Sequence, residues 1–273
     1  MTLPPMCPKL DVSTPLCPQN RMSALNKPGK VFIVGAGPGD PELLTLKAAR
    51  VLSECEVVLY DRLVAPAILE LVRPGAELIY VGKHEGEQQR VQTQIFDLLL
   101  KHALEGKTVV RLKGGDPLVF GRGAEEWAVV RERGIEVELV PGVSSAIAVP
   151  GIAGIPLTFR DVSQGFAVLT GHCSAGLAMN WGAYADIDTL VVLMGVKHRA
   201  FIAQSLIAAG REPDEPVAFV ERGATPEQNV VVATLRDVAS GQVTVQNPAV
   251  MVIGQVVKVR EKLLALLPEA LRA

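Results

Sequence analysis

The stretch that decides the fold of this 273-residue chain is Arg111-Leu-Lys-Gly-Gly-Asp-Pro-Leu-Val-Phe-Gly-Arg-Gly-Ala-Glu-Glu126. Apart from Arg111, residues 108–112 are β-branched or apolar, which predicts the end of a buried strand. Four glycines and an Asp-Pro pair predict a turn-rich loop, and a helix from about Ala124 starts with two glutamates, where negative charge suits the helix dipole. Such a loop packs poorly in a core but brings backbone amides close to a ligand beside charged side chains. We therefore predict a binding site at the C-terminal end of this strand.

Composition excludes several classes of protein. Hydrophobic residues make up 49% of the chain, enough for a sizeable core. A net charge of −2 gives no global basic field for nucleic acid, and 4% aromatic residues disfavour base-stacking platforms. No apolar run reaches membrane-spanning length. We expect a cytoplasmic protein with neither a nucleic-acid nor a membrane partner.

The cysteines and the N-terminal segment carry little chemistry. The four cysteines are Cys7, Cys17, Cys55 and Cys173, and none belongs to a C-x-x-C pair. This pattern predicts reduced thiols and no metal site. Residues 1–28 are rich in Pro, Ser and Asn and lack the apolar core of a signal peptide, so we expect a disordered or loosely attached extension.

A second glycine-rich loop, Gly35-Ala-Gly-Pro-Gly-Asp40, follows the predicted strand 30–35. It differs from the dinucleotide-binding pattern G-x-G-x-x-G because its third glycine, Gly39, comes one residue early and Asp40 takes the last position. An aspartate at a helix start repels a pyrophosphate from the amides that would hold it. The loop therefore favours a neutral or cationic ligand, and we predict that Asp40 both caps the helix and points into a cleft.

Strands and helices alternate along the whole chain, which predicts an α/β fold with mainly parallel or mixed sheets. The pattern restarts after Pro141-Gly142. We predict two α/β domains, residues 29–142 and 143–273, with the active site in the cleft between them. The last strand is predicted over residues 250–257 and the last helix over 258–266. Any helix around Pro150 and Gly151 should be short or kinked.

Several motifs together resemble the uroporphyrinogen-III C-methyltransferases, a branch of the tetrapyrrole methylase superfamily. The resemblance covers roughly residues 29–260. The central motif is the most specific, whereas the first loop alone indicates only the superfamily. The motifs are Gly35–Asp40 with Leu43–Lys47, Tyr60-Asp61, Val110–Pro117, Phe120–Gly123, Val140–Gly142, Gly154–Leu157, Thr170–His172 and Met194-Gly195.

The resemblance implies a function and a set of site residues. It implies a homodimer that uses S-adenosyl-L-methionine, without metal, to methylate uroporphyrinogen III twice. The cofactor residues that it implies are Pro38, Gly114, Gly115, Asp116, Ser144, Ser145, Met194, Ala218 and Ala249. Val119 is added because its apolar side chain, like that of Met194, suits the sulfur and adenine of the cofactor. Those on the substrate and catalytic side are Asp40, Arg62, Arg122, Glu125, Arg160 and His172. The chain departs from the family pattern at Ser144, at Phe159, where a histidine is usual, and at Ala224.

The substrate's chemistry accounts for the arginines. A tetrapyrrole with eight carboxylates suits guanidinium groups, which bind carboxylates through paired hydrogen bonds. Arg62, Arg122, Arg160 and Arg222 all follow predicted strands or lie in loops. Arg122 with Glu125 is the best candidate pair for proton handling, but a guanidinium is a poor base. The proton acceptor is therefore left open between Asp40, Glu125 and a carboxylate of the substrate.

His84, His102 and His198 are predicted to be surface or helix residues without a role in the site.

Three other functions are compatible with parts of the sequence. A related methylase acting on a later corrin precursor is the first alternative. A nicotinamide-dependent dehydrogenase, for which Asp61 would mimic the ribose-binding acid, and a non-catalytic cofactor-binding protein are the others. No dehydrogenase–ferrochelatase region is recognised in the sequence, so we expect the product, precorrin-2, to pass to another enzyme.

Overall fold

Two five-stranded sheets, each packed between helices, form the part of the chain that the computed structural model describes, residues 27–82, 88–172 and 179–266. Predictions for residues 1–26, which include Cys7 and Cys17, and for His84 and Cys173 lie outside these ranges. The strands are β1 (Lys30–Gly35), β2 (Val57–Tyr60), β3 (Glu77–Tyr80), β4 (Val109–Lys113), β5 (Glu136–Val140), β6 (Phe166–Thr170), β7 (Thr189–Leu193), β8 (Pro216–Glu221), β9 (Asn229–Thr234) and β10 (Ala249–Ile253). The helices are α1 (Leu46–Glu54), α2 (Pro66–Leu69), α3 (Gln88–Leu104), α4 (Gly123–Glu132), α5 (Ser145–Ile152), α6 (Arg199–Ala208), α7 (Leu235–Ala239) and α8 (Val256–Ala265).

The first sheet is entirely parallel, in the order β3-β2-β4-β1-β5. Apolar side chains such as Ile33 and Leu59 pack on the face covered by α3 and α4, and Val34 and Val58 pack on the other face with α1 and α2. In the dinucleotide-binding fold β1 lies beside β2. Here β4 separates these two strands, so the topology differs from that of a nicotinamide-binding domain.

The second sheet is mixed, in the order β6-β7-β10-β8-β9. β6 and β7 are parallel, whereas β10 runs antiparallel to β7 and to β8, and β9 runs antiparallel to β8. Helices α6 and α7 cover one face, and α5 and α8 the other. The predicted fold class, two α/β units with parallel and mixed sheets, is confirmed. Helix α5, the first helix after residue 142, packs on the second sheet.

The loop-bearing edges of the two sheets approach each other. In the first sheet all the strands end at one edge, as parallel strands must. In the second, β6, β7 and β8 end at the edge where β9 and β10 begin. Gly39 touches the turn after β8, since a Cβ atom on Gly39 would lie 3.1 Å from the carbonyl oxygen of Ala224. We call these two edges, with the loops they carry, the facing edges.

The end of the chain differs from the prediction in its boundaries. The predicted strand 250–257 ends at Ile253, and helix α8 begins at Val256. Gly254, with φ of +143°, lies between them in a conformation that interrupts a strand. Apolar residues lie on both sides of Gly254-Gln255, so hydrophobicity alone does not separate the strand from the helix.

Candidate functional site

Hydrogen bonds hold the loop after β4 in one shape. The Asp116 carboxylate accepts from the backbone N–H of Leu118 at 2.8 Å and from that of Gly142 at 3.1 Å. Gly115 donates to the Gly37 carbonyl at 2.7 Å, and Gly37 donates to the Gly115 carbonyl at 3.2 Å. The loop is thus joined to the loops after β1 and β5. Because both Asp116 oxygens bind the protein's own backbone, a cofactor contact at this residue would involve the backbone around it.

Close backbone packing explains the glycines at this junction. A Cβ atom on Gly35 would lie 2.5 Å from the Cα of Gly142, and one on Gly142 would lie 2.3 Å from the carbonyl oxygen of Gly115. No side chain fits at either position. Three loops therefore meet with almost no space between their backbones, at the edge where the sequence predicts a site.

Arg122 and Glu125 form the ion pair that their spacing predicts. The Arg122 Nε atom donates to Glu125 Oε1 at 2.9 Å, and Nη2 donates to Oε2 at 2.6 Å. The pair lies at the start of α4, and the hydrogen bond with Glu125 raises the pKa of Arg122. The guanidinium stays protonated, so Arg122 is suited to hold a carboxylate and not to accept a proton.

Residues with positive φ concentrate at the facing edges. Among the described non-glycine residues, five of the six with positive φ lie there: Phe120 (53°), Arg122 (60°), Met194 (57°), Arg222 (44°) and Ala224 (60°). The sixth, Asp161, lies elsewhere. Such conformations cost about 1–3 kcal/mol each and cluster at functional sites. The clustering indicates that these loops are shaped for a ligand.

The second sheet contributes Met194, Arg222 and His172 to the facing edges. Met194 is 49% exposed, and a Cβ atom on Gly171 would lie 2.4 Å from the Cα of Gly195, so the ends of β6 and β7 nearly touch. Arg222 donates from Nη1 to Gln246 Oε1 at 2.8 Å and from Nε to the Glu227 carbonyl at 3.1 Å. His172 is exposed, and its backbone N–H donates to Thr170 Oγ1.

The remaining predicted residues at the facing edges have various exposures. Ser144 caps α5 by accepting from Ala146 N–H, and the Ser145 Oγ atom lies 3.3 Å from the Cβ position of Gly115. Asp40 caps the turn after β1 by accepting from Glu42 N–H at 2.9 Å. Arg62 is exposed after β2. Pro38, Gly114, Val119 and Ala249 are partly buried in the same group of loops.

Two predicted site residues lie away from the others. Ala218 is fully buried in the middle of β8, paired with β9 and β10, and it presents no surface to a ligand. The cofactor contact at Ala218 stays a prediction, and the strand extends three residues beyond it before reaching the facing edge. Arg160 lies on a turn that precedes β6. The Ser163 hydroxyl in this turn is hydrogen-bonded to the Thr189 hydroxyl at the start of β7. Met194 follows the other end of β7, so Arg160 lies at the opposite edge of the second sheet from Met194.

The turn after β8 was only partly recognised from the sequence. Gly223 and Ala224 contact Gly39 through their carbonyl groups, and a Cβ atom on Gly223 would lie 2.3 Å from the Val149 side chain. The signal in the sequence was Arg222-Gly-Ala224 directly after a predicted strand. The sequence predicts a carboxylate contact for Arg222 and a departure from the family pattern at Ala224, but it does not predict that this turn contacts the first loop.

A buried ion cluster under the loop was missed. Arg111 donates to Asp61 Oδ2 at 3.0 Å and to Glu126 Oε1 at 3.3 Å, and Lys113 donates to the same Glu126 oxygen at 2.9 Å. Burial, followed by the charge of Arg111, lowers the pKa of Lys113 to about 8. The sequence contains a signal for this cluster. Arg111 and Lys113 are two residues apart on a buried strand, so their side chains lie on the same face of the sheet and require a buried acid.

The environment of the first loop bears on which cofactor fits. The amides of Ala36, Gly37 and Gly115 donate to backbone carbonyls, so they cannot hold a pyrophosphate. Asp40 adds negative charge at the loop's exit. Asp61, which a dehydrogenase would use on a ribose, instead accepts from Arg111 and from Leu63 N–H. The loop fits a ligand whose charge is positive or neutral, such as a sulfonium.

Among residues 27–82, 88–172 and 179–266 no helix has the length and apolarity needed to cross a bilayer. Within the described part of the chain, no three His, Cys, Asp or Glu side chains are grouped to hold a metal ion.

Comparison with known proteins identifies the family. Residues 30–239 match the family of Tetrapyrrole (Corrin/Porphyrin) Methylases. An S-adenosyl-L-methionine-dependent uroporphyrinogen III methyltransferase of Methanosarcina barkeri is 47% identical over 239 residues, covering 85% of this chain and 94% of that protein. A siroheme synthase of Acinetobacter baylyi is 46% identical over 258 residues, covering 93% of this chain and 56% of that protein. The chain spans about half the length of this and other siroheme synthases that it matches.

A solved structure agrees with the sequence relatives. A uroporphyrin-III C-methyl transferase from Thermus thermophilus, crystallised with S-adenyl homocysteine, superposes with a TM-score of 0.75 at 49% identity, covering 85% of this chain and 94% of that one. The family match extends through both sheets, from β1 to α7. The chain therefore belongs to the tetrapyrrole methylases, as its motifs predicted.

Proposed function

We propose that this chain is an S-adenosyl-L-methionine-dependent C-methyltransferase acting twice on uroporphyrinogen III, at C-2 and C-7. The product is precorrin-2, formed through precorrin-1, and it feeds sirohaem or cobalamin synthesis. The observation that carries the proposal is the preformed Arg122–Glu125 pair on the hydrogen-bonded loop at the facing edges. Relatives of similar length that are named for this activity support it.

The residues that would hold the cofactor are those of the meeting loops. The backbone around Gly114, Gly115 and Asp116, with Pro38, Ser144 and Ser145, would form the first-domain wall. Met194, half exposed at the end of β7, would contribute a polarisable side chain from the second domain. When bound there, S-adenosyl-L-methionine would supply an electrophilic methyl group on a cationic sulfur, and neutral S-adenosyl-L-homocysteine would be the leaving group.

The protein's part in this reaction is to place the two ligands in line and to exclude water. Well-oriented reactants gain roughly 7–11 kcal/mol from positioning alone. Arg122 and Arg222 are both held by hydrogen bonds before substrate arrives, through Glu125 and through Gln246. These arginines, with Arg62, would bind substrate carboxylates and set which ring carbon meets the methyl group.

After methyl transfer the ring must lose a proton. Arg122 stays protonated because its hydrogen bond with Glu125 raises its pKa, so it is not the acceptor. Asp40, Glu125 and a carboxylate of the substrate remain the candidates. Comparing the pH dependence of kcat in Asp40→Asn and Glu125→Gln would separate them, because only loss of the true acceptor removes the acidic limb of the profile.

The test is an anaerobic assay with uroporphyrinogen III and methyl-labelled S-adenosyl-L-methionine, its products resolved by mass. Wild type should add two methyl groups, and Arg122→Ala should lose at least about 100-fold in kcat/KM because a charged, oriented contact is removed. Arg236→Ala is the matched control, since Arg236 is an exposed arginine paired with Asp214, which precedes β8 at the opposite edge. Absence of transfer in wild type that still binds S-adenosylhomocysteine would contradict the substrate and favour a later corrin precursor.

The proposal includes a cytoplasmic homodimer whose product, precorrin-2, is used by a downstream activity. Phe159 (44% exposed) and Phe166 (39% exposed) lie with Arg160 at the far edge of the second sheet, where a second copy would cover them. Light scattering should give twice the chain mass for wild type and a smaller mass for Phe166→Asp. A monomeric wild type at micromolar concentration would contradict the dimer.

A further inference from the structure

The buried cluster under the β4–α4 loop contains an unusual carboxylate. Glu126 is fully buried, and its Oε1 atom accepts from three donors: Lys113 Nζ at 2.9 Å, Arg111 Nε at 3.3 Å and Gln92 Nε2 at 3.3 Å. Its other oxygen, Oε2, is buried and has no hydrogen-bond partner among the described residues. Such an arrangement costs free energy, since buried charges are stable only when well paired.

The position of the cluster suggests what it does. Lys113 is the last residue of β4, directly before the loop, and Glu126 lies in the first turn of α4, directly after it. Their ion pair therefore connects the two ends of the loop that carries Arg122. Arg111 has further contacts, with Asp61 and with the carbonyls of Leu59 and Leu112. It fixes the cluster to β2, whereas the Lys113–Glu126 pair spans the loop.

We propose that Glu126 and Lys113 are positioning residues whose buried ion pair holds both ends of the 114–122 loop and so sets the orientation of Arg122 toward the substrate. The inference rests on the proposed function. Neither side chain needs to touch the ligands, because both act through the strand end and helix start between which the loop runs. Arg122, at φ of +60°, depends on this support since that conformation is costly for a non-glycine residue.

The test compares Glu126→Gln with Glu215→Gln. Glu215 forms another buried ion pair, with Arg211 at 2.6 Å, and Arg211 also donates to the Ile187 carbonyl, which places this pair near the start of β7, away from the facing edges. Each substitution replaces a buried carboxylate by an amide of nearly the same shape, so both should lower the free energy of unfolding. Only the Lys113–Glu126 pair spans the 114–122 loop.

Kinetics and hydrogen exchange are the two readouts, at a temperature where circular dichroism shows both variants folded. Glu126→Gln should lower kcat by about 10- to 100-fold while the KM for S-adenosyl-L-methionine changes little, because misplacement of a substrate-orienting group acts on the reacting complex. The backbone amides of residues 118–123 should exchange faster in Glu126→Gln. Glu215→Gln should keep kcat within about 2-fold and leave that exchange unchanged, because distant sites act independently.

Two outcomes would overturn the inference. Unchanged exchange of the amides of residues 118–123 in Glu126→Gln would show that the pair does not hold the loop, whatever the activity of wild type. An equal loss of kcat in Glu126→Gln and Glu215→Gln would show that the loss comes from general destabilisation and not from misplacement of the loop. Failure of the proposed function is distinguishable, since it appears as a lack of methyl transfer in wild type, and the exchange experiment then decides the positioning role alone.

Discussion

Two charged clusters lie at opposite ends of the first sheet, and their environments differ. At the facing edge, Arg111, Lys113 and Glu126 are buried, with side-chain exposures of 4%, 6% and 0%. At the other end, Lys30 at the start of β1 pairs with Glu136 and Glu138 of β5, and Lys47 pairs with Glu138, with exposures from 30% to 64%. Both clusters connect strands to neighbouring elements, but only the buried one lies under a loop with a proposed role.

The difference shows that the number of ion pairs says little about what a cluster does. Exposed pairs keep most of their hydration and contribute little to stability. Buried pairs have lost that hydration, so removing one partner leaves the other uncompensated. We therefore expect the buried cluster to respond strongly to substitution and the exposed cluster to respond weakly, although they belong to one sheet.

The largest effect is expected from Glu126→Ala. Removing this carboxylate leaves Lys113 buried without its closest anion, so the free energy of unfolding should fall by about 3–5 kcal/mol. Glu138→Ala, the matched change in the exposed cluster, should cost at most about 1 kcal/mol. Urea unfolding followed by circular dichroism measures both. Equal losses in the two variants would contradict the distinction between the clusters.

The next effect comes from removing both partners of the buried pair. In Lys113→Met/Glu126→Leu no uncompensated charge remains between these positions, while Arg111 keeps Asp61. The double variant should recover most of the stability lost in Glu126→Ala, to within about 1–2 kcal/mol of wild type, since apolar substitutes for buried ion pairs are often well tolerated. Its kcat should stay low, because the loop ends are no longer joined by the ion pair. Recovery of kcat along with stability would contradict the positioning role.

Much of the facing edge was predictable, because its signals are local. Glycines, an Asp-Pro pair and a helix start lie within sixteen residues of each other, and Arg122, which caps α4, is close enough in sequence to pair with Glu125 in its first turn. The order of the first sheet was not predictable, since placing β4 between β2 and β1 depends on long-range pairing. The remote position of Arg160 is also non-local, because it follows from the bond between Ser163 and Thr189.

A third prediction concerns alkaline pH. Burial lowers the pKa of Lys113 from 10.5 to about 8 in the folded protein. Between these values the unfolded chain binds a proton that the folded chain has released, so this lysine makes stability rise with pH, by at most about 1.4 kcal/mol per unit. The difference in unfolding free energy, wild type minus Lys113→Met, should increase from pH 8 to 10. A flat or falling difference would contradict the lowered pKa.

The smallest effect belongs to the exposed cluster at acid pH. Hydrogen bonds from Lys30 and Lys47 lower the pKa of Glu138 from 4.5 to about 2. The stability that Glu138 contributes is therefore fully present above about pH 4.5 and is lost as the pH falls toward 2. The stability difference between wild type and Glu138→Gln should be small at pH 7, shrink through this window and be largely lost near pH 2.

Salt distinguishes the two clusters further. Because the Glu138 cluster is exposed, 0.5 M NaCl should reduce the stability difference between wild type and Glu138→Gln. The stability lost in Glu126→Ala should barely change with salt, because that cluster is buried. If salt left the stability difference between wild type and Glu138→Gln unchanged, the exposed and the buried cluster would not differ in screening as their exposures predict.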